Sequence, residues 1–105
     1  MNVIELQAPG ALRLTGTQTA KVRLLRSHPV EEFYPVEARR KGLDGIVTVD
    51  LFINELGFVV EAEVLTESPR DQGFGLAALD VAKTYEFDNT LKRLVLMSMT
   101  ISFQP

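Results

Sequence analysis

"DGIVTVDLFIN", residues 44–54, places an aliphatic side chain at every second position from Val47 to Ile53. One face carries the aliphatic residues Val47, Val49, Leu51 and Ile53. The other face carries Thr48, Asp50, Phe52 and Asn54. A period of two residues is typical of a strand that buries one face in a core and turns the other toward solvent. We therefore predict a half-buried β-strand here, and the rest of the fold is built outward from it.

The chain that follows this strand predicts a hairpin. Gly57, the last residue of "NELG", stands where a tight connection favours a residue with positive φ. "FVVEAEVLT", residues 58–66, then resumes the alternation, which predicts a second strand. The apolar face of this second strand is expected to consist of Phe58, Val60, Ala62 and Val64.

Beyond the hairpin, the spacing of apolar residues changes to that of a helix and then returns to that of a strand. From about Gly75 to Glu86 the spacing is that of an amphipathic helix. The apolar side of this helix carries Ala78, Val81, Ala82 and Tyr85. Residues 94–103 alternate again and predict a third strand. Its apolar face carries Val95, Met97, Met99, Ile101 and Phe103.

A short basic helix is predicted before the first strand. Pro35 suits a first helical position, and Gly42 suits the position just past the end. Gly45 is expected to let the chain turn into the strand. The basic residues lie near the negative end of the helix dipole, where they are favourable. They are Arg39, Arg40 and Lys41.

Strand, strand, helix and strand in this order allow few topologies. A right-handed crossover through the helix places the third strand parallel to the second, on the other side of the first. The sequence therefore predicts an α+β fold, with a three-stranded antiparallel sheet of order 2-1-3 packed by two helices. Residues 31–105 form this domain. Residues 1–30 are an N-terminal extension that supplies an additional extended segment, either a small hairpin of "VIEL" and "ALRL" or a strand in "AKVRLLR".

The composition describes a small folded domain and excludes several functions. In 105 residues, 46% are hydrophobic and 24% are charged, which argues against a disordered chain. A formal net charge of -3 provides no basic surface for nucleic acid. No leader and no run of about 18 apolar residues is present, so this chain alone is not expected to enter a membrane.

No catalytic, metal or cofactor site is predicted. The chain has no cysteine, and its single histidine, His28, precedes Pro29 in an extended loop, where a solvated side chain is the ordinary outcome. Glu61 and Glu63 share one face of a strand, where such pairs are far more often solvated than catalytic. The acidic residues also lack the spacing of a metal-binding loop.

The last strand ends the predicted sheet on one side and leaves backbone groups unpaired. Its outward row of small polar residues, Ser98, Thr100 and Ser102, leaves room for an incoming strand. Two alternatives remain open for this edge. Residues 1–30 cap it, or it pairs with a second copy of the chain in a homodimer.

These elements, in this order, resemble the C-terminal domain of TonB-type energy transducers over residues 33–103. The similar motifs are "YPVEARRKGLDGIVTVDLFINELGFVVEAEVLTES", "GFGLAALDVAKTYEF" and "LVLMSMTISF". The first is similar to the Tyr-Pro, Ala-Arg and Gly-x-x-Gly motifs of that family and the hairpin that follows them. The second is similar to the family's helix, which ends in aromatic-x-Phe, and the third stands where the family has its last strand. The chain departs from the family at "EFDN", where a basic residue and a proline are common, and in being acidic.

The resemblance implies a non-enzymatic periplasmic adaptor. In that family, the N-terminal box of an outer-membrane TonB-dependent receptor adds as a strand beside the last strand of the domain. Inner-membrane motor proteins, driven by proton-motive force, pull on the receptor so that siderophores or vitamins are imported. The motor would be reached only through an upstream anchor segment that this chain lacks. The alternative is a structural or assembly module of another envelope complex, similar to TolA-type proteins.

The resemblance also implies which residues bind the partner. Along the last strand they are Leu94, Val95, Leu96, Met97, Ser98, Met99, Thr100 and Ile101. A second contact is expected from Phe33, Tyr34 and Pro35, with Arg39 nearby.

Overall fold

The computed structural model describes residues 10–105. The elements, in chain order, are strand β1 (Leu12–Arg13), a first 3-10 helix (Gly16–Lys21), strand β2 (Val22–Arg26), a second 3-10 helix (Val30–Phe33), helix α1 (Val36–Arg40), strand β3 (Gly45–Ile53), strand β4 (Val59–Ser68), helix α2 (Phe74–Lys83), strand β5 (Glu86–Asn89) and strand β6 (Val95–Phe103). The α+β class is therefore as predicted. "VIEL", the first half of the expected N-terminal hairpin, lies outside the described residues.

The sheet is larger than the three-stranded antiparallel sheet predicted. Its order is β1-β6-β3-β4, in which β3 runs antiparallel to both β4 and β6. β1 adds as a fourth strand, parallel to β6, and β2 pairs with β5 in a separate two-stranded sheet. The three long strands lie in the order expected for them, but the sheet as a whole is four-stranded and mixed. β2 lies within "AKVRLLR", where a strand is one of the predictions. β1 and β5 are too short to have a detectable period, and they form only by pairing with distant segments.

The segment after α2 is a strand, although it was predicted as helix and loop. α2 ends at Lys83, and Tyr85 is buried beyond the helix end. β5 then runs antiparallel to β2, with Val22 opposite Asn89 and Leu24 opposite Phe87. The helix therefore stops short of Glu86 because these residues find a strand partner in the N-terminal extension.

The core lies between the sheet and the helices. α2 packs across β3 and β4, and the apolar row of β3 is fully buried beneath it, as its alternation predicts. Phe52, on the opposite face of β3, was placed with polar residues toward solvent. It is nevertheless buried, in a second small cluster with Leu96 that is covered by Ala11 and Leu94. The sheet is thus buried on both faces where the N-terminal segment crosses it.

A β-bulge changes which residues of β4 face the core. Val59 pairs with Ile53 and Glu61 with Phe52, so Val60 is an extra residue without a partner on β3. Val59, Ala62 and Val64 pack against the core, whereas Val60 is 55% exposed. The prediction that Val60 shares the buried face is therefore wrong, because the bulge shifts the alternation by one residue.

Gly42 and Gly45 have different structural roles. Gly42 follows α1 with a φ of 70°, which supports its prediction as the residue just past the helix end. Gly45 is the first residue of β3 and does not form a turn, contrary to the prediction. A Cβ atom at Gly45 would overlap the ring of Phe74, so a close approach of side chain to backbone requires glycine there.

Candidate functional site

The outer edge of β6 is the main candidate site. Every residue of β6 from Val95 to Phe103 has a partner on β3, but only alternate residues turn their backbone N–H and C=O groups toward β3. The carbonyls of Leu94 and Leu96 turn the other way, toward β1. Because backbone groups alternate in direction along a strand, the N–H and C=O groups of Ser98, Thr100 and Ser102 also face outward. Within residues 10–105 no strand pairs with this row, which we call the open edge.

β1 occupies the first part of the same edge. The amide of Leu12 donates to the carbonyl of Leu94 at 3.0 Å, and the amide of Leu14 donates to the carbonyl of Leu96 at 2.8 Å. The stretch predicted to bind a partner therefore has two parts. Leu94, Val95 and Leu96 are already beside a strand of this chain, and the row that begins at Ser98 is open.

Side chains hold β1 on both faces of the sheet. Leu14 is buried in the main core, and Leu12 packs against it. On the opposite face the guanidinium of Arg13 lies 3.1 Å from the Asp50 carboxylate. The other Asp50 oxygen accepts a hydrogen bond of 2.5 Å from the Ser98 hydroxyl. The ion pair and its hydrogen bond thus lie at the boundary between the occupied and the open part of the edge.

A groove of about 310 Å³ lies at the far end of the open edge. Two of the residues that line it are Ser102, near the end of β6, and Gln104, just past that end. The others come from the second 3-10 helix and the residue after it: Val30, Glu31 and Tyr34. An extended segment pairing with Ser102 would pass directly beside this groove.

Tyr34 belongs mainly to the core. Its ring packs edge-on against Phe74 and Phe103, at 5.8 Å between ring centroids in each case. Its hydroxyl donates to the carbonyl of Leu43. The Arg39 guanidinium lies over the Tyr34 ring, 4.9 Å from its centre. Tyr34 therefore forms a rigid wall of the groove, with Arg39 beside it.

The two predicted groups of binding residues, one along β6 and one around Tyr34, come close together only at the C-terminal end of β6. Phe33 and Pro35 are half-buried, and this segment lies near Ser102 at the end of β6. Leu94 is roughly 26 Å away along the strand, at about 3.3 Å per residue. Ser102 was outside the predicted set, although its place in the outward row points to it. Val30, Glu31 and Gln104 were also missed, because no sequence pattern marks the lining of a groove.

Burial of the tyrosines predicts a loss of stability at high pH. Burial raises the pKa of Tyr34 above its usual value of 10.0; the Asp44 carboxylate raises it further, and Arg39 partly opposes both effects. Burial also raises the pKa of Tyr85. The folded state therefore retains these protons where the unfolded chain loses them, so their stabilisation is complete below about pH 10 and is lost as the pH rises through the folded-state pKa.

Tyr34→Phe should give a shallower fall in unfolding free energy between pH 9 and 11 than the parent chain. Urea unfolding at several pH values measures this slope. Tyr85→Phe removes the other buried hydroxyl and should also reduce the slope, and the effects of the two substitutions should add. Identical slopes for parent and Tyr34→Phe would contradict the assignment.

The described part of the chain contains no cluster of side chains that could hold a metal ion, since no three of its histidine, aspartate and glutamate side chains group as such a site would require. His28 is exposed and lies 3.3 Å from Glu32. Between residues 10 and 105, no helix has the length and apolar character needed to cross a bilayer.

Comparisons with known proteins agree with the fold. The family model for the Gram-negative bacterial TonB protein C-terminal matches residues 30–105. The chain is also similar to the solution NMR structure of Pseudomonas aeruginosa TonB CTD, with 21% identity and a TM-score of 0.63. That similarity covers 89% of this chain and 92% of the other, and it concerns the fold. No curated protein matches the sequence significantly.

Proposed function

The chain belongs to the family of Gram-negative bacterial TonB protein C-terminal domains, and on that premise we propose that it is a non-enzymatic adaptor that binds outer-membrane receptors by strand addition. Domains of this family act in the periplasm, in energy transduction across the cell envelope. The N-terminal box of a TonB-dependent receptor would pair with the open edge. Proton-motive force, transmitted from inner-membrane motor proteins, would then drive import of a siderophore or vitamin.

The observation that carries this proposal is the outward backbone row of Ser98, Thr100 and Ser102. Each residue offers one N–H and one C=O group, and side chains here are small and polar. About four to six added hydrogen bonds, each with a net value of about 0.5–1.5 kcal/mol, offset part of the cost of association. The resulting affinity is on the order of micromolar. Reversible binding suits a coupler that has to release its partner in each cycle.

The groove supports the proposal by offering a place for one side chain. An added strand that runs past Ser102 brings one of its residues next to the ring of Tyr34. The wall is apolar at Val30 and polar at Glu31 and Gln104, so the groove is suited to a side chain with an apolar body and a polar tip. Backbone pairing would supply affinity, and this groove would add selectivity.

An NMR titration with a receptor box peptide tests the proposal. The amides of Ser98, Thr100 and Ser102 should shift in a saturable way, together with residues that line the groove. A peptide of the same composition in scrambled order is the control. Shifts centred on Phe58–Thr66, at the opposite edge of the sheet, or no shifts at all, would contradict the proposed site.

Self-association is a second candidate function, as in an assembly module. β4 forms the other edge of the sheet, and it exposes Val60 and Leu65 at 55% and 47%. Two open edges on one domain permit pairing between copies. Sedimentation separates the two candidates, because a dimer that is unaffected by every box peptide would favour assembly.

A further inference from the structure

β1 pairs with the edge of β6 in the way that a bound peptide would. It is only two residues long, runs parallel to β6, and places Leu12 beside Val95 and Arg13 beside Leu96. Its hydrogen bonds use the same outward row of backbone groups that continues into the open edge. The free domain therefore displays, within its own chain, one way in which an extended segment is held at this edge.

Asp50 is the charged group on which this arrangement depends. Its side chain is 7% exposed, and each of its oxygens has one partner: Arg13 on one side and Ser98 on the other. Ser98 is neutral, so Arg13 is the only cation within reach of this carboxylate among residues 10–105. Glu63 lies directly across from Asp50 on β4, which makes this face more negative. Without β1, the Asp50 carboxylate would keep only the neutral hydroxyl of Ser98 as a partner, and the carboxylate of Glu63 would remain nearby.

We propose that Asp50 determines specificity at the binding edge by selecting a partner segment with an arginine or lysine in the place that Arg13 occupies in β1. This inference rests on the proposed function, because it describes which strand that edge accepts. The preferred segment runs parallel to β6 and is apolar, basic, apolar, following Leu12, Arg13 and Leu14. A partner that pairs with the whole edge of β6 displaces β1. The ion pair between Arg13 and Asp50 is then replaced by one between the partner's basic residue and Asp50.

The physical basis is the difference between a paired and an unpaired carboxylate. A segment with a basic residue restores the charge-assisted hydrogen bond to Asp50 when β1 leaves. A segment with a neutral residue leaves Asp50 covered by the new strand without a cation, which is unfavourable. A partly exposed pair of this kind should favour the basic segment by about tenfold in affinity.

The test uses a synthetic peptide that copies residues 10–16, "GALRLTG", and a second peptide with alanine in place of its arginine. The protein is the full chain with Arg13→Glu, which replaces the ion pair of β1 with repulsion and so weakens β1 in competition. The arginine peptide should bind about tenfold more tightly than the alanine peptide. On binding, the Leu12 and Leu14 amides of the protein should shift toward positions typical of an unpaired chain.

Two further variants isolate the carboxylate. In Arg13→Glu combined with Asp50→Asn, the preference for the arginine peptide should disappear, because asparagine keeps an acceptor for Ser98 but has no charge. Glu63→Gln, in the Arg13→Glu background, is the matched control. It changes an exposed carboxylate on the same face and should leave most of the preference intact.

The parent chain provides a test that needs no protein variant. At high peptide concentration it should show the same order of affinities, and faster hydrogen exchange at Leu12 and Leu14 should accompany binding. Equal affinities for the two peptides, or binding with the β1 amides unchanged, would overturn this inference. If neither peptide binds while a receptor box peptide still shifts Ser98–Ser102, the inference fails and the proposed function stands. If no peptide of any kind binds the edge, both fail.

Discussion

Gly45→Ala should destabilise the domain by about 3 kcal/mol, because it forces an extra carbon into a filled part of the core. A Cβ atom there would lie 2.5 Å from Cγ and 2.7 Å from Cδ2 of Phe74, well inside van der Waals contact. Phe74 is fully buried and its ring is enclosed by Tyr34 and Phe103, so it has no free space to move into. The midpoint of thermal unfolding should fall by roughly 15 °C.

Urea and thermal unfolding, followed by circular dichroism, measure this effect. Phe74→Leu provides the matched comparison, since a smaller side chain opposite Gly45 relieves the overlap. The double variant should be less destabilised than the sum of the two single variants, which is the sign of a direct contact. A loss below about 1 kcal/mol for Gly45→Ala would mean that the ring shifts easily and that the packing is looser than described.

Thr100→Pro should weaken binding of a receptor box peptide at least tenfold. Thr100 lies in the outward row of β6, so its N–H makes no bond to β3, and proline at this place removes a donor for the added strand alone. The loss combines one net hydrogen bond, about 0.5–1.5 kcal/mol, with obstruction by the proline ring. Ser98 also faces outward, but its hydroxyl donates to Asp50, so Thr100 is the cleaner position.

Ala62→Pro is the matched control for Thr100→Pro. The odd-numbered residues of β3 hydrogen-bond to β6, so Asp50 and Phe52 hydrogen-bond to Glu63 and Glu61 on β4. The N–H of Ala62, which lies between these two glutamates, therefore faces the outer edge of β4. Proline there removes an equivalent donor from the other edge of the same sheet and should leave peptide affinity unchanged. Titration calorimetry gives both affinities, and circular dichroism reports whether each variant is folded. Equal losses in the two variants would mean that the β6 edge is not the binding surface.

A change in the peptide avoids any effect of proline on folding. An ester in place of the peptide amide that faces Thr100 removes one donor from the partner and leaves the domain unaltered. Affinity should fall several-fold when the ester faces the open edge. An ester that faces solvent should have no such effect. Identical affinities for both esters would argue against backbone pairing at this strand.

Elements with a clear period were predicted well, because their pattern depends on neighbouring residues alone. The alternation around Val49 places β3 correctly, and the alternation in residues 94–103 does the same for β6. The exceptions are positions where a partner strand changes the register or covers a second face. Val60 is exposed because of a bulge opposite β3, and Phe52 is buried because Ala11 and Leu94 cover it.

The candidate site was only partly predictable. The alternation of β6 predicts that the side chains of Ser98, Thr100 and Ser102 share one face, but the direction of their backbone groups follows only from the hydrogen bonds that Leu94 and Leu96 make with β1. The groove was missed because Tyr34 and Gln104 come together through packing of the second 3-10 helix against the end of β6. The role of Asp50 was also missed, since an aspartate on the polar face of a strand is ordinarily expected to be solvated.

The α+β class, the order of the three long strands and a row of polar side chains on one face of the last strand can all be predicted from the sequence alone. These follow from the spacing of apolar residues, which acts over a few neighbours. Which backbone groups of that strand remain unpaired depends on the tertiary structure. β1 and β6 come from opposite ends of the chain, and their pairing depends on Arg13 meeting Asp50 and on Leu14 reaching the core. Contacts of this kind depend on the folded arrangement of the whole domain, so no local pattern encodes them.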